Sequence, residues 1–172
     1  MGREGDHGWI LKPVVLDEFG LDLYVTRGFS SLTYLQEAAE DINLEDRPVY
    51  VYVLTDFDPY GRNIADRIEE ELTERCFDAD IHVERIAVTA EQIQQYSLPA
   101  RPTKRTRRKG VTRYEASHGA VSVELDAFPP NVLRALVHER IERHMDPWRL
   151  QQMQMVERQE RDGLARLLAG GQ

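Results

Sequence analysis

Residues 49–61 read Val-Tyr-Val-Tyr-Val-Leu-Thr-Asp-Phe-Asp-Pro-Tyr-Gly, an apolar run that ends in two aspartates and a turn. The first part, residues 49–54, has the length and the β-branched and aromatic composition of a buried strand. Over residues 62–75 apolar side chains recur at helical spacing, which predicts an amphipathic helix. A strand that passes through a tight turn into a helix is where open α/β sheets place their ligand sites.

The two aspartates of this turn, Asp56 and Asp58, lie two positions apart. In an extended segment their side chains share a face, so both can reach one hard cation. This pattern indicates a Mg²⁺ site for phosphate chemistry. The alternative is structural, because aspartates that follow a strand often cap the next helix by accepting backbone N–H groups. The strand before the pair, the helix after it and the Pro-Tyr-Gly between them favour the metal site.

Composition limits the class of protein. The chain has 172 residues, of which 41% are hydrophobic, so it can bury one core and is most simply one domain. No apolar run approaches the roughly 20 residues of a membrane span, and the first residues do not resemble a signal peptide. We therefore expect no membrane partner and a cytoplasmic location. The lone Cys76 excludes an internal disulfide and a cysteine-based zinc site, and we expect it in the core.

The charge of the chain is unevenly distributed, although its net value is −8. A basic arm, residues 101–113, holds seven of the 22 basic residues and no acidic one. Such a density predicts a mobile loop that neutralises nucleic-acid phosphates. The alternatives are a solvated loop or one that docks on the protein's own acidic surface. The predicted nucleic-acid-binding residues are Arg101, Lys104, Arg105, Arg107, Arg108, Lys109 and Arg113.

Hydrophobic periodicity predicts alternating helices and strands along the rest of the chain. The expected helices cover residues 9–19, 90–96, 129–145 and 147–168, with a further helix that Ser30 or Ser31 caps and that ends at residue 40. The expected strands, besides residues 49–54, cover residues 21–26, 81–88 and 120–125. Strands that alternate with helices predict an α/β fold with a mostly parallel sheet in three layers, followed by C-terminal helices.

Three segments of the chain resemble the Toprim domain. Residues 54–61 are similar to its Asp-x-Asp-Pro-x-Gly motif, most closely to the version in the A subunit of topoisomerase VI and its meiotic double-strand-break relatives. Residues 24–31 are similar to the strand-Thr-x-Gly-aromatic turn that precedes this motif in the family. Residues 124–128 resemble the Glu-Leu-x-Ala-Leu segment that follows it. Together the three segments span roughly residues 10–145, and the first is the most specific.

The resemblance implies a Toprim-like, Rossmann-like domain over residues 1–145, with residues 146–172 as a helical extension. It further implies that a glutamate and two aspartates bind Mg²⁺, which holds or polarises a DNA phosphate during strand cleavage and rejoining. Carried over, Asp56 and Asp58 are catalytic metal ligands. The family's glutamate ends a first strand ahead of the helix at residues 9–19, and Glu4 is the nearest candidate for that third ligand. Glu124 and Asp126 are further candidate carboxylates, and the alternative for Asp126 is capping of a turn.

The chain departs from the family in two respects. Residues 1–8, ahead of the first expected helix, do not have the apolar pattern of the family's first strand, so we expect that strand to be missing or degenerate. The topoisomerase relatives join DNA through a tyrosine on a separate winged-helix domain, and no such domain is expected here. We therefore expect Mg²⁺-dependent processing of nucleic-acid phosphodiesters, with DNA as substrate and with a partner subunit or a homo-oligomer. One alternative is a non-catalytic nucleic-acid-binding or scaffold domain with a degenerate site. Another is a haloacid-dehalogenase-like phosphatase, whose required lysine would have to be Lys104 or Lys109, in the basic arm.

Overall fold

The computed structural model describes residues 8–25, 32–102 and 121–169. The fold is mixed α/β, since it combines a two-stranded parallel sheet with several helices. In chain order the elements are α1 (Gly8–Val15), α2 (Leu32–Ile42), β1 (Val49–Leu54), α3 (Pro59–Arg75), β2 (Ile81–Ala87), α4 (Ala90–Gln95), β3 (Arg101–Pro102), β4 (Val121–Ser122), a 3₁₀ helix (Leu125–Ala127), α5 (Pro130–Glu142) and α6 (Pro147–Ala169).

The described residues form two compact units. A terminal unit contains residues 8–23 and 130–169, and a central unit contains residues 24–25, 32–102 and 121–129. Each unit consists of residues that pack mainly against one another. The predicted division into a Toprim-like domain and an extension after residue 145 remains a prediction.

The central unit is built on the parallel pair β1 and β2. Their register runs from Val49 opposite Ile81 to Val53 opposite Arg85, and it then shifts so that Leu54 lies opposite Ala87. Because side chains alternate along a strand, every second residue of both strands faces the same side. On that side the strands pack against a buried cluster from α2, α3 and the residue after α3, made of Ala39, Ile42, Leu72 and Cys76.

The terminal unit is helical, and in it α1 packs against α5. Apolar residues of α1 are buried, as are Leu133, Val137 and Ile141 of α5. Arg134 of α5 donates from Nε to the Ile10 carbonyl at 2.7 Å. The helix α6 is largely exposed, and Asp146 caps it by accepting the Trp148 N–H at 2.9 Å.

Most local predictions are confirmed, three need correction, and the cap expected at Ser30 or Ser31 lies outside the described residues. The strand expected at residues 21–26 is wrong, because residues 21–25 have no strand structure and residue 26 lies outside the described ranges. The helix expected at residues 9–19 ends at Val15 and continues as a turn to Gly20, whose φ of 63° stops it. The strand expected at residues 120–125 is short, because the chain turns into the 3₁₀ helix Leu125–Ala127.

The error at residues 21–26 has a physical cause. A strand is stable only when a neighbouring strand pairs with its backbone groups. Within the described part of the chain, β1 pairs with β2 alone, and no third strand joins this sheet. In the same part of the chain, no helix is long and apolar enough to cross a membrane.

Candidate functional site

Both aspartates of the motif lie in the turn between β1 and α3, in the central unit. Each side chain is half-buried. The chain leaves β1 at Leu54 and enters α3 at Pro59, so the pair lies at the carboxyl end of a parallel strand, as predicted. Ligand sites of open α/β sheets occur at this end of the strands.

Asp58 is the N-cap of α3. Its backbone is extended, with φ −152° and ψ 173°, and its Oδ1 accepts the Gly61 N–H at 2.6 Å. Pro59 occupies the first turn, where its missing N–H costs no hydrogen bond. The structural role that the sequence offered as an alternative is therefore real for Asp58. This bond fixes the orientation of the carboxylate through Oδ1, and a carboxylate has a second oxygen that can bind a cation.

Asp56 is held from the opposite side of the turn. Its Oδ1 accepts the backbone N–H of Leu125 at 2.8 Å, across 69 positions of sequence. Beside this bond, Phe57 and Val123 exchange two backbone hydrogen bonds, of 2.8 and 3.1 Å. The segment similar to the family's Glu-Leu-x-Ala-Leu therefore contacts the segment similar to its Asp-x-Asp motif.

Gly61 is required by a close approach of α3 to the turn. A Cβ at this position would overlap the Asp56 carbonyl oxygen and would lie 3.0 Å from its carbon and 3.1 Å from its nitrogen. Backbone atoms cannot move aside as a flexible side chain can. The glycine of the motif thus allows the first turn of α3 to pack on the Asp56 backbone.

Arg85 contributes to the site, and the sequence analysis missed it. Its Nε donates to Thr55 Oγ1 at 2.9 Å, and its Nη2 donates to the carbonyls of Asp56 at 3.0 Å and Val88 at 2.8 Å. A signal was available, because Arg85 continues the series Ile81, Val83 on the covered face of β2. A charged residue in such a position needs hydrogen-bond partners.

The other predicted site residues either lie outside the described part of the chain or are exposed. Glu4 lies outside the described residues, as do all residues of the basic arm except Arg101 and Pro102. The Arg101 side chain is 73% exposed and lies 3.3 Å from Glu124 Oε1. Exposed ion pairs of this kind contribute about 0–1 kcal/mol. Asp126 lies exposed in the 3₁₀ helix.

A metal at this turn would have to be held by the carboxylates of Asp56 and Asp58. Within the described ranges, no group of three or more His, Cys, Asp or Glu residues is arranged to hold a metal ion. Two carboxylates nevertheless suit Mg²⁺, which usually keeps several waters and binds through one or two carboxylates plus substrate phosphates. The donor set therefore fits Mg²⁺ as a weak, substrate-completed site.

The surroundings of the turn carry mixed charge. A pocket of about 220 Å³ between α3 and the two strands is lined by Arg62, Arg85, Asp66 and Glu69 together with apolar residues. Farther along α3, a groove is lined mostly by acidic residues, including Glu70 and Glu74. Because that groove repels phosphate, an anionic substrate would approach the turn from elsewhere.

In comparisons with known proteins, no family model, no curated protein and no solved structure matches the chain.

Proposed function

We propose that this chain provides a Toprim-like, Mg²⁺-dependent site that processes nucleic-acid phosphodiesters, with DNA as substrate. Asp56 and Asp58 would be its metal ligands, and Glu4 its third carboxylate. The supporting observation is the turn after β1, where two carboxylates are each fixed by a backbone N–H bond. The three-layer Toprim arrangement of the whole domain is part of the same proposal.

The chain's own residues would orient the reaction. Bound Mg²⁺ would supply a Lewis acid that polarises a phosphate oxygen and stabilises its developing charge. The N–H groups of Gly61 and Leu125 hold the two aspartates before any substrate arrives. A preorganised pair of ligands of this kind does not have to reorient during the reaction.

Nucleic-acid binding is assigned in this proposal to the basic arm. Its seven positive charges would neutralise phosphates and release counterions, which makes the affinity dependent on salt. Arg101 begins this arm and is exposed next to Glu124, one residue from the Leu125 N–H that holds Asp56. The arm thus starts near the proposed metal ligands. A partner subunit or second copy would complete a double-strand reaction.

A non-catalytic nucleic-acid-binding or scaffold domain is the second candidate. It is favoured by the small donor set, since the described residues supply two carboxylates and both also stabilise the turn. In this candidate the aspartates keep only their structural role. The basic arm would then carry the whole function.

Nicking of supercoiled plasmid DNA in Mg²⁺ separates the two candidates. We expect Asp56→Asn and Asp58→Asn to lower the rate by roughly 100-fold or more, as for loss of a charge-stabilising group. Asparagine keeps an oxygen acceptor for the Leu125 N–H and is itself a good N-cap, so both variants should fold. The control is Asp78→Asn, an exposed aspartate in the loop before β2, at the opposite end of the strands.

The outcomes of this assay are distinct. Nicking that survives chelation of Mg²⁺, or that is equal in native protein and Asp56→Asn, would overturn the proposed site. DNA binding without any nicking would establish the scaffold candidate. Turnover of a generic phosphate monoester would instead support the phosphatase alternative.

A further inference from the structure

The guanidinium of Arg85 joins the carboxyl ends of both parallel strands. It bonds to Thr55, which follows β1, to the Asp56 carbonyl and to the Val88 carbonyl, which follows β2. The strands also meet there through the bonds from Thr55 N–H to the Ala87 carbonyl and from Val88 N–H to the Thr55 carbonyl, both 2.8 Å. The Arg85 side chain therefore bridges the two strands at the start of the motif turn, which is the turn between β1 and α3 that contains Asp56 and Asp58.

This arrangement needs an arginine. The planar fork of donors in fixed geometry allows Nε and Nη2 to bond in different directions at once. A lysine at position 85 would offer one compact ammonium group instead. Arg85 is half-buried on the covered side of β2. Its hydrogen bonds are therefore stronger than they would be in water, because the donor is charged and the local dielectric is lower.

Asp56 is consequently fixed at three points. Arg85 holds its carbonyl, Leu125 holds its carboxylate, and Gly61 packs against its backbone. The direction of the Asp56 carboxylate depends on the backbone to which it is attached. Releasing the carbonyl would let the residue rotate and would weaken the bond to Leu125.

We propose that Arg85 is a positioning residue for the metal-binding turn. It acts through the backbone of Asp56, and its consequence for metal affinity rests on the proposed function. Thr55 supports the same role, because its hydroxyl accepts the Nε–H of Arg85 and so helps to hold the guanidinium in place.

The test uses the full chain with Thr55→Val, which removes the hydroxyl at closely similar volume, and Arg85→Met, which removes the guanidinium and keeps an unbranched apolar stem. Two readouts are measured: amide hydrogen exchange at Leu125 and Gly61, and the affinity for Mn²⁺ as a probe of the Mg²⁺ site. We expect exchange at Leu125 to rise about tenfold, since one net hydrogen bond to a charged group is worth roughly that factor. Mn²⁺ affinity should fall by a similar factor.

The controls isolate the positioning role. Thr55→Ser keeps the hydroxyl and should restore both readouts, whereas Arg85→Lys should not restore them fully. Arg62→Met removes a positive charge that lines the same pocket, without removing the Arg85 bonds to the turn. The double variant Arg85→Met with Thr55→Val should show less than the sum of the single effects, because the two residues share one interaction.

Each outcome decides a separate question. If Arg85→Met raises amide exchange at Leu125 but the native protein does not bind Mn²⁺, the positioning role stands and the proposed metal site is wrong. Native Mn²⁺ binding that Arg85→Met leaves unchanged, with unchanged exchange at Leu125, would end the positioning role alone. Exchange that rises equally at the centre of β1 would also end it, since Arg85 would then only stabilise the fold.

Discussion

At the scale of single residues, the motif positions serve structure and candidate chemistry together. From the sequence alone, helix capping and metal binding are competing explanations of the two aspartates. The structure shows that Asp58 caps α3 and that Asp56 binds the Leu125 N–H, each through Oδ1. A carboxylate has a second oxygen, so capping fixes the side chain without excluding a cation. The two explanations are therefore compatible.

Gly61 gives the sharpest prediction at this scale. Gly61→Ala should destabilise the protein by at least about 1–3 kcal/mol, because the added Cβ meets backbone atoms of Asp56. The matched control is Gly163→Ala in α6, where nothing lies within 4 Å of an added Cβ. It should stabilise its helix by roughly 0.5–1 kcal/mol, since alanine is the better helix former. Urea unfolding followed by circular dichroism measures both, and equal effects would contradict the close approach.

At the scale of elements, the sequence predicted what depends on neighbouring residues. The helix α4 begins with a capping box, in which the Thr89 hydroxyl accepts the Gln92 N–H at 3.3 Å and the Gln92 side chain accepts the Thr89 N–H at 2.9 Å. The strand β1 follows from an apolar run, and β2 follows from apolar residues that alternate with polar ones over its first half. Residues 21–25 share that apolar character, but a strand also depends on a distant partner that local periodicity does not reveal.

Cys76 reports on the packing of α2 and α3 against the sheet. It is 5% exposed in a cluster with Leu72, and burial raises the pKa of its thiol. Little thiolate forms near neutral pH, so alkylation should require the cluster to open. Leu72→Ala should cost about 2–5 kcal/mol and speed alkylation by roughly 30-fold or more. The exposed Leu164→Ala should leave the rate unchanged, and fast labelling of native protein would contradict the buried cluster.

For the molecule as a whole, the contacts between distant segments could not be predicted from the sequence. Asp56 bonds to Leu125, which lies 69 positions away in the sequence. Arg85 bonds to Asp56, which lies 29 positions away. Spacing along the chain predicts which residues share a face of one element, but it does not show which distant segment closes a site. The division into a terminal and a central unit also depends on such contacts, between α1 and α5.

Metal and nucleic acid should bind cooperatively at the turn that holds Asp56 and Asp58. With Asp56 and Asp58 as its ligands, Mg²⁺ should bind weakly and keep most of its waters. A DNA phosphate would supply further ligands, so each should tighten binding of the other, by roughly 5–150-fold for a typical coupling of 1–3 kcal/mol. The affinity for a short duplex is measured with and without Mg²⁺ at fixed ionic strength, which holds the screening of the basic arm constant.

The variant Asp56→Asn tests whether this coupling passes through the motif turn. It should bind the duplex with the same affinity in both conditions, since it retains every positive charge of the basic arm. Asp78→Asn, far along the sheet from the turn, should keep the native coupling. If native protein also binds equally well with and without Mg²⁺, the metal site fails and the basic arm is left to account for binding. The reciprocity of linkage requires that the duplex then leave Mg²⁺ affinity unchanged as well.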